Sequence, residues 1–334
     1  MTKERQSNIE LLRAIVMFMV LLLHANIFCF GWPEGESLTS LFRLFMEGVT
    51  IISINEFLLI TGYFGTSFKI SKVFNIVFQI LYTVFIVTLA LIAFGLYGFN
   101  TWKELIHGFY FWNYWFLNSY IVLIILSPLL NLTVKHLNKS SFKALLIMLF
   151  IVFCLIDGDF FVSPPGIGVN SGYSALWFAF VYLVGRYLAK YPSIISTYKL
   201  VIVYVIGLSG TLLLMNKCRD YGYNSPFIFI QSIAFFLLFL KMRFTSKLVN
   251  FIASSSLMVF LFHCHPIVID YYKGIIRGLN ALYGNGIEFL FLLSGFCGLV
   301  YLVAIIFDQG RKFIWHKIET QIRGLDQYLI IGEK

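Results

Sequence analysis

Charge is scarce in this chain. Asp, Glu, Lys and Arg make up 12% of its 334 residues, about half the share of a soluble globular domain. Apolar types reach 59%. An ordinary water-soluble enzyme is excluded. The five cysteines (Cys29, Cys154, Cys218, Cys264 and Cys297) show no C-x-x-C spacing, and four lie in or beside apolar runs. That argues against a disulfide framework and against a zinc site, so no metal is expected. No long polar stretch marks a second soluble domain, and no internal repeat gives the two-half symmetry of many transporters. Lys3 and Arg5 precede the first apolar run as they would in a signal peptide. That run is nevertheless long, contains His24 and lacks an A-x-A-like exit, so it reads as a retained span.

What is present is a series of apolar segments, each near the roughly 20 residues that a membrane helix needs. They lie near 9–30, 41–64, 73–98, 113–133, 143–160, 173–189, 200–216, 224–240, 248–270 and 286–308. The predicted fold is therefore all-α: a polytopic integral membrane protein of about ten transmembrane helices, one domain over 1–334. With the N-terminus cytoplasmic, eighteen Lys and Arg fall on inner segments and five (Lys103, Lys217, Arg219, Lys273 and Arg277) on outer ones. This asymmetry supports an even span count with both termini cytoplasmic, in a multi-pass protein of the cell (inner) membrane. It also explains the net charge of +9 by topology, so no nucleic-acid partner is expected. The tail from 309 to 334 alternates charged and apolar residues, as an amphipathic surface helix would.

The first span sets three ionisable residues in lipid: Glu10, Arg13 and His24, in NIELLRAIVMFMVLLLHANIF. Such groups are costly there and mark function by default. At about 100° per residue they fall within roughly 60° of arc, Arg13 and His24 nearly in line. At ~1.5 Å per residue, Arg13 lies about 6 Å in from Ile9 and His24 about 22 Å in. One polar stripe thus runs almost from face to face. A neutral imidazole at the depth of His24 can take a proton from a hydroxyl or carry an acyl group. The bland alternative is a histidine bonded to a neighbouring helix. Arg13 can clamp a phosphate or carboxylate, or simply pair with Glu10 at i, i+3.

Further polar groups follow. Glu47 and Glu56 are nine residues apart, about 180° around a helix, so both cannot face the first span. Either a His24–Glu47 pair orients the base, or Glu56 pairs with Arg13; Arg43 and Glu47 can equally satisfy one another at i, i+4. Asn55 lies beside Glu56. Trp112, Tyr114 and Trp115 read as an outer aromatic belt, with Asn118 and Tyr120 deeper and within reach of a sugar hydroxyl. His263 lies about as far from the inner face as His24, and His265 nearer the outside. Glu47, Asn55, Glu56, Trp115, Asn118, Tyr120 and His263 make up the expected substrate-binding set.

These stretches resemble the membrane acyltransferase-3 family, which includes bacterial O-acetyltransferases of surface polysaccharides and lipid-linked glycans. NIELLRAIVMFMVLLLH is similar to the family's first helix, an acid three residues before an Arg, with a His eleven later. NEFLLITGYF resembles its F-F-x-x-S-G-Y element. YWFLNSYIVLIILSPLLN resembles the fourth helix, FAFVYLVGRYLAKY the sixth, and VFLFHCHPIV the Y-L-x-H-P stretch of the ninth. The resemblance implies transfer of an acyl group, usually acetyl, from cytoplasmic acyl-CoA to an extracytoplasmic hydroxyl on a glycan or lipid-linked saccharide. His24 then matches the essential histidine, with Arg13 and Glu10 its neighbours. The donor is a substrate and no cofactor is bound permanently. Where many members carry an R-x-R pair after the second helix, this chain reads GTSFKISK. Lys69 and Lys72 bind phosphate there as point charges, without the guanidinium fork. Membrane lipid is the remaining expected partner.

Two rival functions use the same residues. The stripe fits the path of a secondary transporter or flippase for a glycan or small anion, with Pro128, Pro226 and Pro266 as candidate helix breaks. Alternatively the charges are structural, in a non-catalytic membrane partner protein.

Overall fold

The computed structural model describes residues 5–33, 35, 37–98, 114–157, 167–218, 222–284 and 286–329, all-helical with no strand among them. The elements are α1 (Ser7–Phe30), α2 (Leu38–Thr50), α3 (Ser53–Phe64), α4 (Ile70–Ala93), α5 (Trp115–His136), α6 (Lys139–Phe150), α7 (Ala175–Lys190), α8 (Thr197–Cys218), α9 (Pro226–Leu240), α10 (Lys247–Ala253), α11 (Ser256–His263), α12 (Val268–Tyr283) and α13 (Ile287–Arg323). Long apolar runs become helices because lipid offers backbone groups no other partner. Side chains of Ser37, Asn138, Ser174 and Ser246 cap four of the helix starts, each satisfying an orphan N–H.

Helices form in all ten expected segments, though not every one is long enough by itself to cross a bilayer. Seven helices are long and apolar enough to cross a membrane, or eight if the bent pair Lys247–His263 and Val268–Tyr283 counts as one. Segments 173–189 and 224–240 do form helices, but of only sixteen and fifteen residues. The segment expected at 41–64 divides at Ile51–Ile52 into α2 and α3. The one expected at 248–270 breaks by 88° around Cys264–Ile267, where Pro266 supplies no N–H. The tail is not a separate surface helix at its start. It continues the last span as α13, 37 residues long. Pro128 sits inside α5 without ending it, and Pro226 opens α9. Lys103, Trp112 and Arg219 lie outside the described residues.

α1 is the central helix. Its Ile9, Leu12, Val16 and Leu23 pack into one apolar core with α3, α7 and α9. Met17, Val20, Leu21 and Ala25 pack into another with α4, α11, α12 and α13. The polar stripe is thereby placed inside the protein and away from lipid. α3 and α7 cross at two glycines: a Cβ on Gly185 would stand 2.6 Å from the Leu59 carbonyl, and one on Gly62 would strike that of Tyr182. Small residues allow this backbone approach, as is usual between membrane helices.

Both ends of the described chain lie at one end of the bundle. Arg5 donates to the Asn250 carbonyl, and Lys312 to Ser254 Oγ at 2.7 Å and Ser255 Oγ at 3.0 Å. Asp308, fully buried, joins Arg311 at 2.6 Å and Lys312 at 2.9 Å there. Asp326 accepts from Ser71 N at 2.9 Å and Ser71 Oγ at 2.6 Å, tying the last described turn to the start of α4.

Candidate active site

The bend between α11 and α12 leaves His263 at the C-terminal end of α11, fully buried and turned toward α1. Tyr272 of α12 holds this arrangement by donating to the Leu21 carbonyl at 2.7 Å. His263 Nε2 lies 2.9 Å from His24 Nδ1, and the ring centroids are 5.0 Å apart. The two histidines at one depth therefore meet. Their proton arrangement follows from a third contact, 2.7 Å between His263 Nδ1 and the Val259 carbonyl. A carbonyl only accepts, so Nδ1 of a neutral His263 carries the proton and Nε2 is the acceptor. His24 must then donate from Nδ1, which leaves the lone pair on its Nε2. Phe28 stacks over His24 at 4.5 Å, interplanar angle 7°, and limits its rotation. Cys264 Sγ lies 3.6 Å from His24 Nδ1 and 3.3 Å from His263 Nε2. His265 is engaged elsewhere, 3.2 Å from Thr88 Oγ1 on α4.

Below the histidines, a cavity of about 230 Å³ follows the polar side of α1. Arg13, Ser254 and Ser256 line one end, and Val20, Leu117 and Phe260 the other. Phe57, Thr61 and Tyr120 complete the wall, with Tyr120 Oη 3.4 Å from Thr61 Oγ1. Val20 is one helical turn before His24, and Phe260 lies edge-on to His263, centroids 6.0 Å apart. The space thus ends about 6 Å, one turn, short of the imidazoles. Arg13 pairs with Glu10, 3.5 Å away.

The open choice between the two glutamates resolves differently from either expectation. Glu47 reaches α1 at Asn26, two residues beyond His24: Asn26 Nδ2 donates to Glu47 Oε2 at 2.9 Å and to the Arg43 carbonyl at 2.8 Å, while Arg43 Nε donates to Asn26 Oδ1 at 3.0 Å. Asn26 is a hub that the sequence reading did not single out. Glu56 is fully buried, and neither of its carboxyl oxygens has a hydrogen-bond partner among the described residues. Asn55 is used at both ends of its amide, donating to the Tyr223 carbonyl and accepting from Trp177 Nε1, each at 2.9 Å. Trp115 sits in an aromatic group with Tyr173, centroids 4.5 Å apart, and Tyr223, 5.9 Å. Asn118 is exposed on α5.

The loop Gly65–Lys69 lies at the Arg13 end. Lys72 Nζ donates to Thr66 Oγ1 at 3.1 Å and to the Ser67 carbonyl at 3.0 Å, and Lys69 is exposed. The structure adds Arg186 of α7. Its guanidinium packs so closely on Gly65 (φ +74°) that a Cβ there would stand 2.6 Å from it. Its Nε is buried with no hydrogen-bond partner among the described residues. Arg186 is the Arg of FAFVYLVGRYLAKY and one of the eighteen inner cations, and nothing in the sequence singles it out as a site residue. A family model described as an acyltransferase domain matches residues 6–308. No curated protein and no solved structure matches the chain.

Proposed function

Because this chain belongs to the membrane acyltransferase-3 family and is a multi-pass membrane acyltransferase, we propose that it moves an acyl group, acetyl in the usual case, from acyl-CoA to a hydroxyl of an extracytoplasmic or lipid-linked glycan. The observation that carries this reading is the chain of contacts Val259 carbonyl, His263, His24. It supports a neutral His24 whose Nε2 is the base. A sugar hydroxyl is a weak nucleophile at neutral pH and needs one.

Arg13 then marks the donor's side. Acyl-CoA carries several negative charges and stays out of lipid, so its phosphates belong among Lys69, Lys72 and Arg186, the last supplying the fork that lysine lacks. The pantetheine arm threads the cavity from Arg13 toward Val20 and Phe260, and these two side chains must yield for the thioester to cover the last turn to the histidines. His24 Nε2 removes the hydroxyl proton as oxygen attacks the thioester carbon. The C–S bond breaks, and CoA leaves as a thiolate that takes the proton back from the imidazolium. Tyr120, in the cavity wall, and Trp115, nearer its outer side, are the proposed substrate contacts. The protein works in the cell's inner membrane with its donor side cytoplasmic.

The test is acyl-CoA consumption by purified protein in detergent, given a glycan acceptor. His24→Ala should lower turnover by about 10²- to 10⁴-fold, the usual worth of a positioned base, with expression and membrane insertion unchanged. Full activity in that variant would remove the mechanism. Acceptor uptake into vesicles without acyl-CoA turnover would refute the assigned reaction.

A further inference from the structure

The base and its partner share their space with a thiol. His24 Nδ1, His263 Nε2 and Cys264 Sγ form a triangle with edges of 2.9, 3.3 and 3.6 Å. All three atom types are ligands of soft and borderline metal ions, and all three lie close enough to share one ion. We propose that this triangle is a binding site for a zinc-like divalent ion, and that occupancy shuts the enzyme off. The inhibitory half rests on the assignment of His24 as base; the binding half does not.

Zn–N bonds of ~2.05 Å and Zn–S bonds of ~2.3 Å in tetrahedral array require N···N of about 3.4 Å and N···S of about 3.6 Å. The two sulfur edges are within about 0.3 Å of that. The imidazoles need to part by only about 0.5 Å, the difference between sharing a proton and sharing a metal. The outer contacts fit as well. His263 Nδ1 is already bonded to the Val259 carbonyl, the second contact that ligating histidines habitually make. His24 and Cys264 both keep some exposure, so an ion has a way in and a fourth position for water. The thiol separates this from a mere histidine pair, because it becomes an anionic ligand. Lys273, whose charge reaches both His24 and Cys264, opposes the cation and tempers its affinity.

Binding is a proton exchange. The Cys264 thiol releases its proton to solvent as the Zn–S bond forms. The His24 ring proton moves from Nδ1, now a ligand, to Nε2. Nε2 is then an N–H donor with no lone pair, so the base is lost without any movement of the helices. No C-x-x-C spacing marks this site because one ligand lies 239 residues from the next.

Co2+ serves as the optical probe. The full chain in detergent, freed of metal by chelator, is titrated with Co2+ and then Zn2+. Wild type should show one thiolate-to-cobalt charge-transfer band per chain, removed by Zn2+, and Cys264→Ser should not show it. Lys273→Ala should tighten binding several-fold. The ratio of acyl-transfer rates in chelator and in Zn2+ should exceed ten for wild type and approach one for Cys264→Ser. Absence of the band in wild type, or an unchanged band in Cys264→Ser, overturns the site. A band without inhibition overturns the regulatory half. Activity of His24→Ala in chelator would instead remove the base, and the band would still report on Cys264 and His263.

Discussion

If His263 fixes the tautomer of His24, replacing it should act on turnover and leave donor binding alone. His263→Leu removes the acceptor 2.9 Å from His24 Nδ1 and fills the same fully buried volume with an apolar side chain. A net neutral hydrogen bond is worth about 0.5–1.5 kcal/mol. At about 1.36 kcal/mol per factor of ten, the productive tautomer becomes roughly 2- to 13-fold rarer. kcat should therefore fall by about 2- to 13-fold with KM for acyl-CoA unchanged, far less than the loss from His24→Ala, since the base itself remains. His263→Gln keeps a side-chain carbonyl as acceptor and should recover part of the loss. The assay is release of free CoA thiol at saturating acceptor, with a thermal melt to show that each variant is folded. A wild-type kcat in His263→Leu would refute the orientation argument. A loss as deep as that of His24→Ala would make His263 the base.

Three further predictions follow from geometry. Arg186→Ala should raise KM for acyl-CoA by about tenfold or more, since a hydrogen bond to a charged group is worth about 1.5–3 kcal/mol; an unchanged KM would remove Arg186 from the donor site. Gly185→Ala drives a methyl into the Leu59 carbonyl and the backbone of Gly62, so α3 and α7 must separate at a cost of about 1–3 kcal/mol, read as a lower melting temperature; an unchanged melt would show that the crossing is looser than described. Asn55→Ala strips partners from Trp177 Nε1 and the Tyr223 carbonyl, costing about 1–3 kcal/mol for each orphaned group. Its turnover per folded molecule should persist, and a fully stable but inactive variant would return Asn55 to substrate binding.

The fold class was legible because it rests on composition: a chain so poor in charge and so rich in apolar runs has few alternatives to membrane helices. Hydropathy also marked the stretches that become α7, α9 and the α11–α12 pair, but helix length and the 88° break depend on packing and do not show in it. The stripe on α1 was legible because Glu10, Arg13 and His24 share one helix, where angular position follows from spacing alone. Their partners were hidden, since meetings between distant helices depend on the bundle. The sequence placed His263 at the right depth but could not bring it to His24, nor Asn26 to Glu47, nor Arg186 to Gly65. For Asn55, composition suggested a polar group awaiting substrate, and the fold uses it to hold Trp177. Gly62 and Gly185 lie within two of the stretches that carried the family resemblance. Their role is steric, so it shows only in the structure, as a contact.

The length of α13 has an outcome of its own. Its 37 residues span about 55 Å at 1.5 Å each, against roughly 30 Å of hydrocarbon. Some 25 Å of rigid rod must stand clear of the lipid, and its base is where Asp308, Arg311 and Lys312 interlock. The rod passes at Gly324 into a 3-10 turn, and Asp326 clasps Ser71 just past the lysine-bearing loop. A protease cut or early stop after Lys312 would leave the bilayer anchor intact while unfastening that loop. If the proposed donor site is right, the harm would then fall on capture of the nucleotide thioester, at the opposite end of the molecule from the imidazoles.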